Sequence, residues 1–167
     1  MKSIATFIAG CAMLIGVAQA EPPAGYAFKS YPEALRGAAA SGKPVFLYLG
    51  RHGCGFCAKT NKESFSDADV RKRYDATFEL AYVDSEGNGR LQLPSGERLT
   101  EAAFTERLNI VGTPVFFALA PDGSEIARVY GFQTAEQLLV LQEYIAAGHY
   151  KTVSFRDFTT AREKAAQ

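Results

Sequence analysis

Five apolar residues, Val45 to Leu49, run without a break and deliver the chain through a short turn to Cys54-Gly55-Phe56-Cys57. A continuous apolar run of that length reads as a buried strand. No proline follows as far as Ser64, and Lys59, Lys62 and Glu63 share one exposed side, which predicts a helix beginning at or just after Cys54. A cysteine pair is thereby placed where a strand hands over to a helix. The first turn of a helix holds unpaired amides and the positive end of the peptide dipole, so a sulfur there is stabilised as thiolate. A free thiol titrates near ~8.5, and such a position lowers it to roughly 3.5 to 7.5. Cys54 is the expected nucleophile. Cys57, one turn further in and more buried, is the expected resolving thiol, protonated until a mixed disulfide has to be opened.

Other uses of the pair fit less well. A disulfide across two residues closes almost no loop, so it adds little stability. Zinc takes about four ligands, and once Cys11 is lost with the leader described next the chain offers Cys54 and Cys57 plus His52 and His149, with no second cysteine pair. A c-type haem site needs histidine directly after the second cysteine, where Ala58 stands. A Cu(I) thiolate site stays open as an alternative, although Met1 and Met13 both fall in the leader described next. The expectation is no metal, and no cofactor beyond a redox-active Cys54–Cys57 disulfide.

Residues 1–20 read as a secretory signal: Lys2 is the positive end, Ile4 to Val17 the apolar stretch, and Ala18-Gln19-Ala20 a small-x-small cleavage site. Ile8-Ala9-Gly10-Cys11 offers a competing lipoprotein pattern, anchored through Cys11. Lysine plus arginine equals aspartate plus glutamate at 18 each, so losing Lys2 leaves acids in excess by one. Such a balance gives nucleic acid no electrostatic footing.

The remainder, 21–167, reads as one domain with a core over about 26–148 and a C-terminal extension at 149–167. Ser30, Pro32 and Glu33 start a helix to about Ala40. Ser66 and Asp69 are expected to cap a short helix through Tyr74, and Phe78 to Val83 is a strand. Ser85 to Arg98, with Gly87, Gly89, Pro94 and Gly96, reads as an irregular insertion or small hairpin. Thr100 caps a helix, with Leu99 and Phe104 spaced as a hydrophobic staple. Pro121-Asp122-Gly123 joins Val115–Ala120 to Glu125–Tyr130 as a hairpin. Thr134 and Gln137 form a capping box for a helix to Ala147, and Ser154 to Lys164 is a short amphipathic helix resting on Phe155 and Phe158. The order predicts an α/β fold with a mixed sheet flanked by helices.

Cys54-Gly55-Phe56-Cys57, with Val111-Gly112-Thr113-Pro114 before an apolar strand and the Pro121-Asp122-Gly123 hairpin, resembles the thioredoxin superfamily over about residues 26–148. The likeness extends to periplasmic thioredoxin-related proteins, among them the thioredoxins of sulfur-oxidation operons. The resemblance implies a thioredoxin fold with an inserted loop before the cis-proline helix and a short helical tail. It further implies that Pro114 follows a cis peptide and lies against Cys54, and that the Thr113 backbone pairs with an extended substrate segment. Gly112 is expected to allow that close approach. The implied activity is periplasmic thiol–disulfide exchange by a monomer, reducing disulfide-containing periplasmic proteins and recharged by a membrane thiol donor. An isomerase, an oxidase, or a non-redox binding or metal-delivery module on the same fold remain alternatives.

Two departures stand out. Tyr48 occupies the strand position, six before Cys54, where thioredoxins carry a buried acid, and Gly53 replaces the usual tryptophan. His52 is a candidate for tuning the Cys54 thiolate, with a solvated loop histidine as the plain alternative. Arg51 and Lys59 read as surface charges. Phe56 and Phe132 are candidates for an apolar rim, with Phe132 expected in the core.

Overall fold

Strand β1 (Val45–Gly50) is buried at every residue, and its alternation feeds two cores at once. Phe46 and Tyr48 point into one, Val45, Leu47 and Leu49 into the other, as a period of two requires. In the computed structural model, which describes residues 22–165, β1 pairs in parallel with β2 (Glu79–Asp84) and antiparallel with β5 (Val115–Leu119). Strand β6 (Glu125–Tyr130) completes a sheet of order β2-β1-β5-β6. The leader expected at 1–20, with Cys11, lies outside the described residues.

Helix α1 (Tyr31–Ser41) begins at Ser30, whose backbone N–H donates to the Glu33 carboxylate at 3.1 Å. It covers one face of the sheet with α4 (Glu101–Arg107), through Ala34, Leu35, Ala38 and Phe104. The other face carries α3 (Ala68–Thr77) and α5 (Ala135–Ala146) over a dense aromatic core of Phe46, Tyr48, Phe65, Tyr74, Phe78 and Phe116. Each such ring buried stabilises the fold by about 1.5–3 kcal/mol. Helix α2 (Gly55–Glu63) follows β1 directly.

The insertion is a hairpin, β3 (Arg90–Gln92) with β4 (Arg98–Thr100), a two-stranded sheet of its own. Thr100 caps α4 by accepting from the Ala103 N–H, and Leu99 and Phe104 are buried in one cluster. Thr134 and Gln137 form the capping box of α5. The chain then passes through a 3-10 turn (His149–Lys151) to α6 (Phe155–Ala165), whose Phe155 and Phe158 rings lie against Tyr144.

Three details differ from expectation. The cap of α3 is Asp67, which accepts from the Asp69 and Val70 N–H groups, while the Ser66 hydroxyl donates back to the Lys62 carbonyl. That helix runs to Thr77 rather than Tyr74. The segment before α1 also joins the sheet: Lys29 forms a parallel bridge to Ala81, its N–H donating to the Leu80 carbonyl at 2.9 Å.

Candidate active site

The turn out of β1 passes through Gly53 at φ 69, a left-handed conformation that suits glycine. Cys54 is then the N-cap of α2 in extended conformation, and its carbonyl accepts the Ala58 N–H at 3.0 Å. Cys54 and Cys57 are joined as a disulfide with Cα atoms 5.2 Å apart. The Cys57 N–H donates to Cys54 Sγ at 3.1 Å, so one of the helix's unpaired amides already serves this sulfur. Cys54 is 8% exposed and Cys57 3%. An attacking partner therefore reaches Cys54 first.

Facing the pair, the Thr113–Pro114 peptide is cis, and the Thr113 carbonyl oxygen lies 3.4 Å from Cys54 Sγ. The Thr113 hydroxyl is buried without a hydrogen-bond partner. Gly112 does not need to be glycine for this approach: a Cβ there would meet nothing within 4 Å, and its φ is not left-handed. Gly55 is equally open.

Beneath α2, Tyr48 is fully buried and its hydroxyl donates to Asn61 Oδ1 at 3.2 Å. Burial, with the neighbouring Tyr82 phenol, pushes Tyr48 far above the ordinary phenol range, so it stays neutral. Among the described residues the buried polar side chains besides tyrosines and cysteines are Thr60, Ser64, Thr105 and Gln142, with no carboxylate. Glu101, a half-buried acid, lies on α4 under the insertion, where burial raises it and the Asp84 N–H donates to it.

His52 is exposed in the turn before the motif. Arg51 pairs with Glu86 of the insertion at 3.2 Å, and the Ser85 N–H donates to the Gly50 carbonyl at 2.7 Å. The insertion thus braces the loop that presents Cys54. Lys59 sits 3.9 Å from Glu63, and its Nζ is 4.4 Å above the Phe132 ring. Phe132 is half-buried under that lysine rather than in the core. Phe56 is 63% exposed, and the other exposed apolar side chains at this end are Val111 and Tyr130. Sequence reading missed those two. Val111 stood inside a motif read for its glycine and proline, and Tyr130 ends a strand whose alternation does not say which end stays uncovered.

A sequence profile of the thioredoxin-like domain matches residues 31–146. The chain is 36% identical over 104 residues to the thiol:disulfide interchange protein DsbD of Yersinia enterocolitica, covering 61% of this chain and 16% of that protein. The chain thus spans about a sixth of the curated relatives it matches. A thioredoxin from Thermus thermophilus superposes with TM-score 0.59 at 27% identity, covering 72% of this chain and 87% of that one. A thioredoxin-fold protein from Helicobacter pylori superposes with TM-score 0.65 at 20% identity, over 75% and 82%.

Proposed function

The chain belongs to the thioredoxin-like domain family, and from that premise we propose that it is a thiol–disulfide oxidoreductase working in the periplasm, in the reducing direction, on disulfides of partner proteins. The observation that carries this reading is the seat of Cys54: N-cap of α2, next to the Thr113 carbonyl, at the exposed edge of an otherwise buried pair. The reduced protein attacks with the Cys54 thiolate. A Cys54–partner disulfide forms, the partner's own S–S bond breaks, and the departing sulfur takes a proton. Cys57 then loses its proton and attacks Cys54 Sγ, which releases the second partner thiol and leaves Cys54–Cys57 oxidised. Two electrons pass to the partner, and a dithiol donor must return them.

Gly55-Phe56 brings no imidazolium between the cysteines, and no carboxylate is buried among the described residues. The missing imidazolium favours moderate rather than extreme depression of the Cys54 pKa, and a very low pKa is what makes a couple strongly oxidising. Export rests on the leader expected at 1–20, and the likeness to a thiol:disulfide interchange protein supports recharging by another protein dithiol. The test is trapping. Cys57→Ser should accumulate Cys54 in mixed disulfides on non-reducing gels, and Cys54→Ser should not; the opposite pattern overturns the assignment of roles. Insulin reduction with dithiothreitol as donor reads the turnover.

A further inference from the structure

Arg128 stands on the edge strand β6, yet its side chain is only 24% exposed. It lies 4.4 Å over the Phe117 ring, and two of its nitrogens hold the Glu125 carboxylate at 3.2 and 2.6 Å. The remaining nitrogen, Nη1, donates twice: to the Leu108 carbonyl at 3.3 Å and to the Tyr130 hydroxyl at 3.1 Å. Leu108 closes α4, so its carbonyl is one of the acceptors the helix leaves unsatisfied, and a cation there suits the negative end of the dipole.

The chain leaving Leu108 takes Asn109 through φ 55, exposes Val111 completely, and reaches Thr113 against Cys54. Tyr130 stands in register with Val115, and the Gly131 N–H donates to the Pro114 carbonyl at 2.8 Å. One guanidinium therefore fastens both segments that flank the Thr113–Pro114 peptide. Of the four large exposed apolar side chains among the described residues, Phe56, Val111 and Tyr130 belong to these segments or to the motif itself. A small disulfide needs only Cys54, whereas a polypeptide has flanking residues to lay against that surface.

Resting on the oxidoreductase reading above, we propose that Arg128 is a positioning residue for the exchange site, fixing the segment 109–113 and Tyr130 in the one arrangement that receives a polypeptide disulfide flanked by apolar residues.

The test is steady-state kinetics with two probes, insulin as polypeptide disulfide and 5,5′-dithiobis(2-nitrobenzoate) as small disulfide. Arg128→Met keeps the stem over Phe117 and removes the fork. It should raise KM for insulin about tenfold with kcat within about twofold, raise KM for the small disulfide far less, and Arg128→Lys should recover part of the loss. Tyr130→Phe removes only the hydroxyl that Arg128 holds, and should raise KM for insulin about threefold at unchanged thermal midpoint. A lowered midpoint with unchanged KM makes Arg128 merely structural and overturns the proposal, as do equal rises for both probes. If Arg128→Met does not fold, Tyr130→Phe decides, and an unchanged KM there overturns it. Failure of the unmodified protein to reduce either probe overturns the oxidoreductase reading itself, a result distinct from variants that match a working parent.

Discussion

The two oxygens of Thr113 behave differently. The carbonyl faces the Cys54 sulfur at 3.4 Å, while the hydroxyl is buried with nothing to bond. An unpaired buried hydroxyl costs about 1–3 kcal/mol, and valine has the same shape without it. Thr113→Val should therefore leave the oxidised protein as stable or about 1 kcal/mol more stable in urea titration; a clear loss of stability would show that the hydroxyl has a partner. The residues of the disulfide were legible because the pattern is local: four consecutive positions at a helix start fix which sulfur is outermost. Val111, Tyr130 and the half-covered Phe132 were not, since exposure at the end of a strand is decided by whatever the rest of the chain packs there.

At the scale of elements, helix starts were read more surely than helix lengths. Ser30 and Thr134 cap where a hydroxyl followed three residues later by Glu33 or Gln137 said they would, and Thr100 caps where the staple spacing of Leu99 and Phe104 pointed. Between Ser66 and Asp69 several side chains compete, and Asp67 wins because its carboxylate accepts two backbone amides while Ser66 turns back to Lys62. Asp67→Ala should cost about 1 kcal/mol in global stability, read as a lowered urea midpoint at unchanged slope, and Ser66→Ala less than half of that. Equal losses would restore Ser66 as the cap. The bridge of Lys29 to β2 was invisible for a plainer reason: a single residue of strand carries no alternation to read.

For the molecule as a whole, the two-faced sheet was legible from the apolar runs, while the polar wiring of its aromatic core was not. Tyr74 is completely buried and donates to the Leu138 carbonyl at 2.9 Å, and burial holds it well above the ordinary phenol range. Burial also raises Tyr48 and Tyr82, and pushes Tyr26 up to about 12. An unfolded phenol titrates near ~10. The stability these groups confer is thus fully present below pH ~10 and falls as pH rises from there toward the folded values, by up to ~1.4 kcal/mol per pH unit for Tyr74 alone. Absorbance at 295 nm should show those tyrosines ionising together with unfolding. Titration of all of them near pH ~10 in a still-folded protein would contradict this packing. The same wiring puts Tyr48, neutral and bonded to Asn61, under the reactive helix, and so bears on the couple itself. Equilibration with glutathione and dithiothreitol buffers, followed by acid quench, alkylation and mass measurement, reads that couple directly. The account predicts that Cys54 and Cys57 change state together in one two-electron step, at a potential more negative than about −200 mV. A potential near the strong-oxidant value of about −120 mV, or cysteines that do not exchange at all, would contradict it.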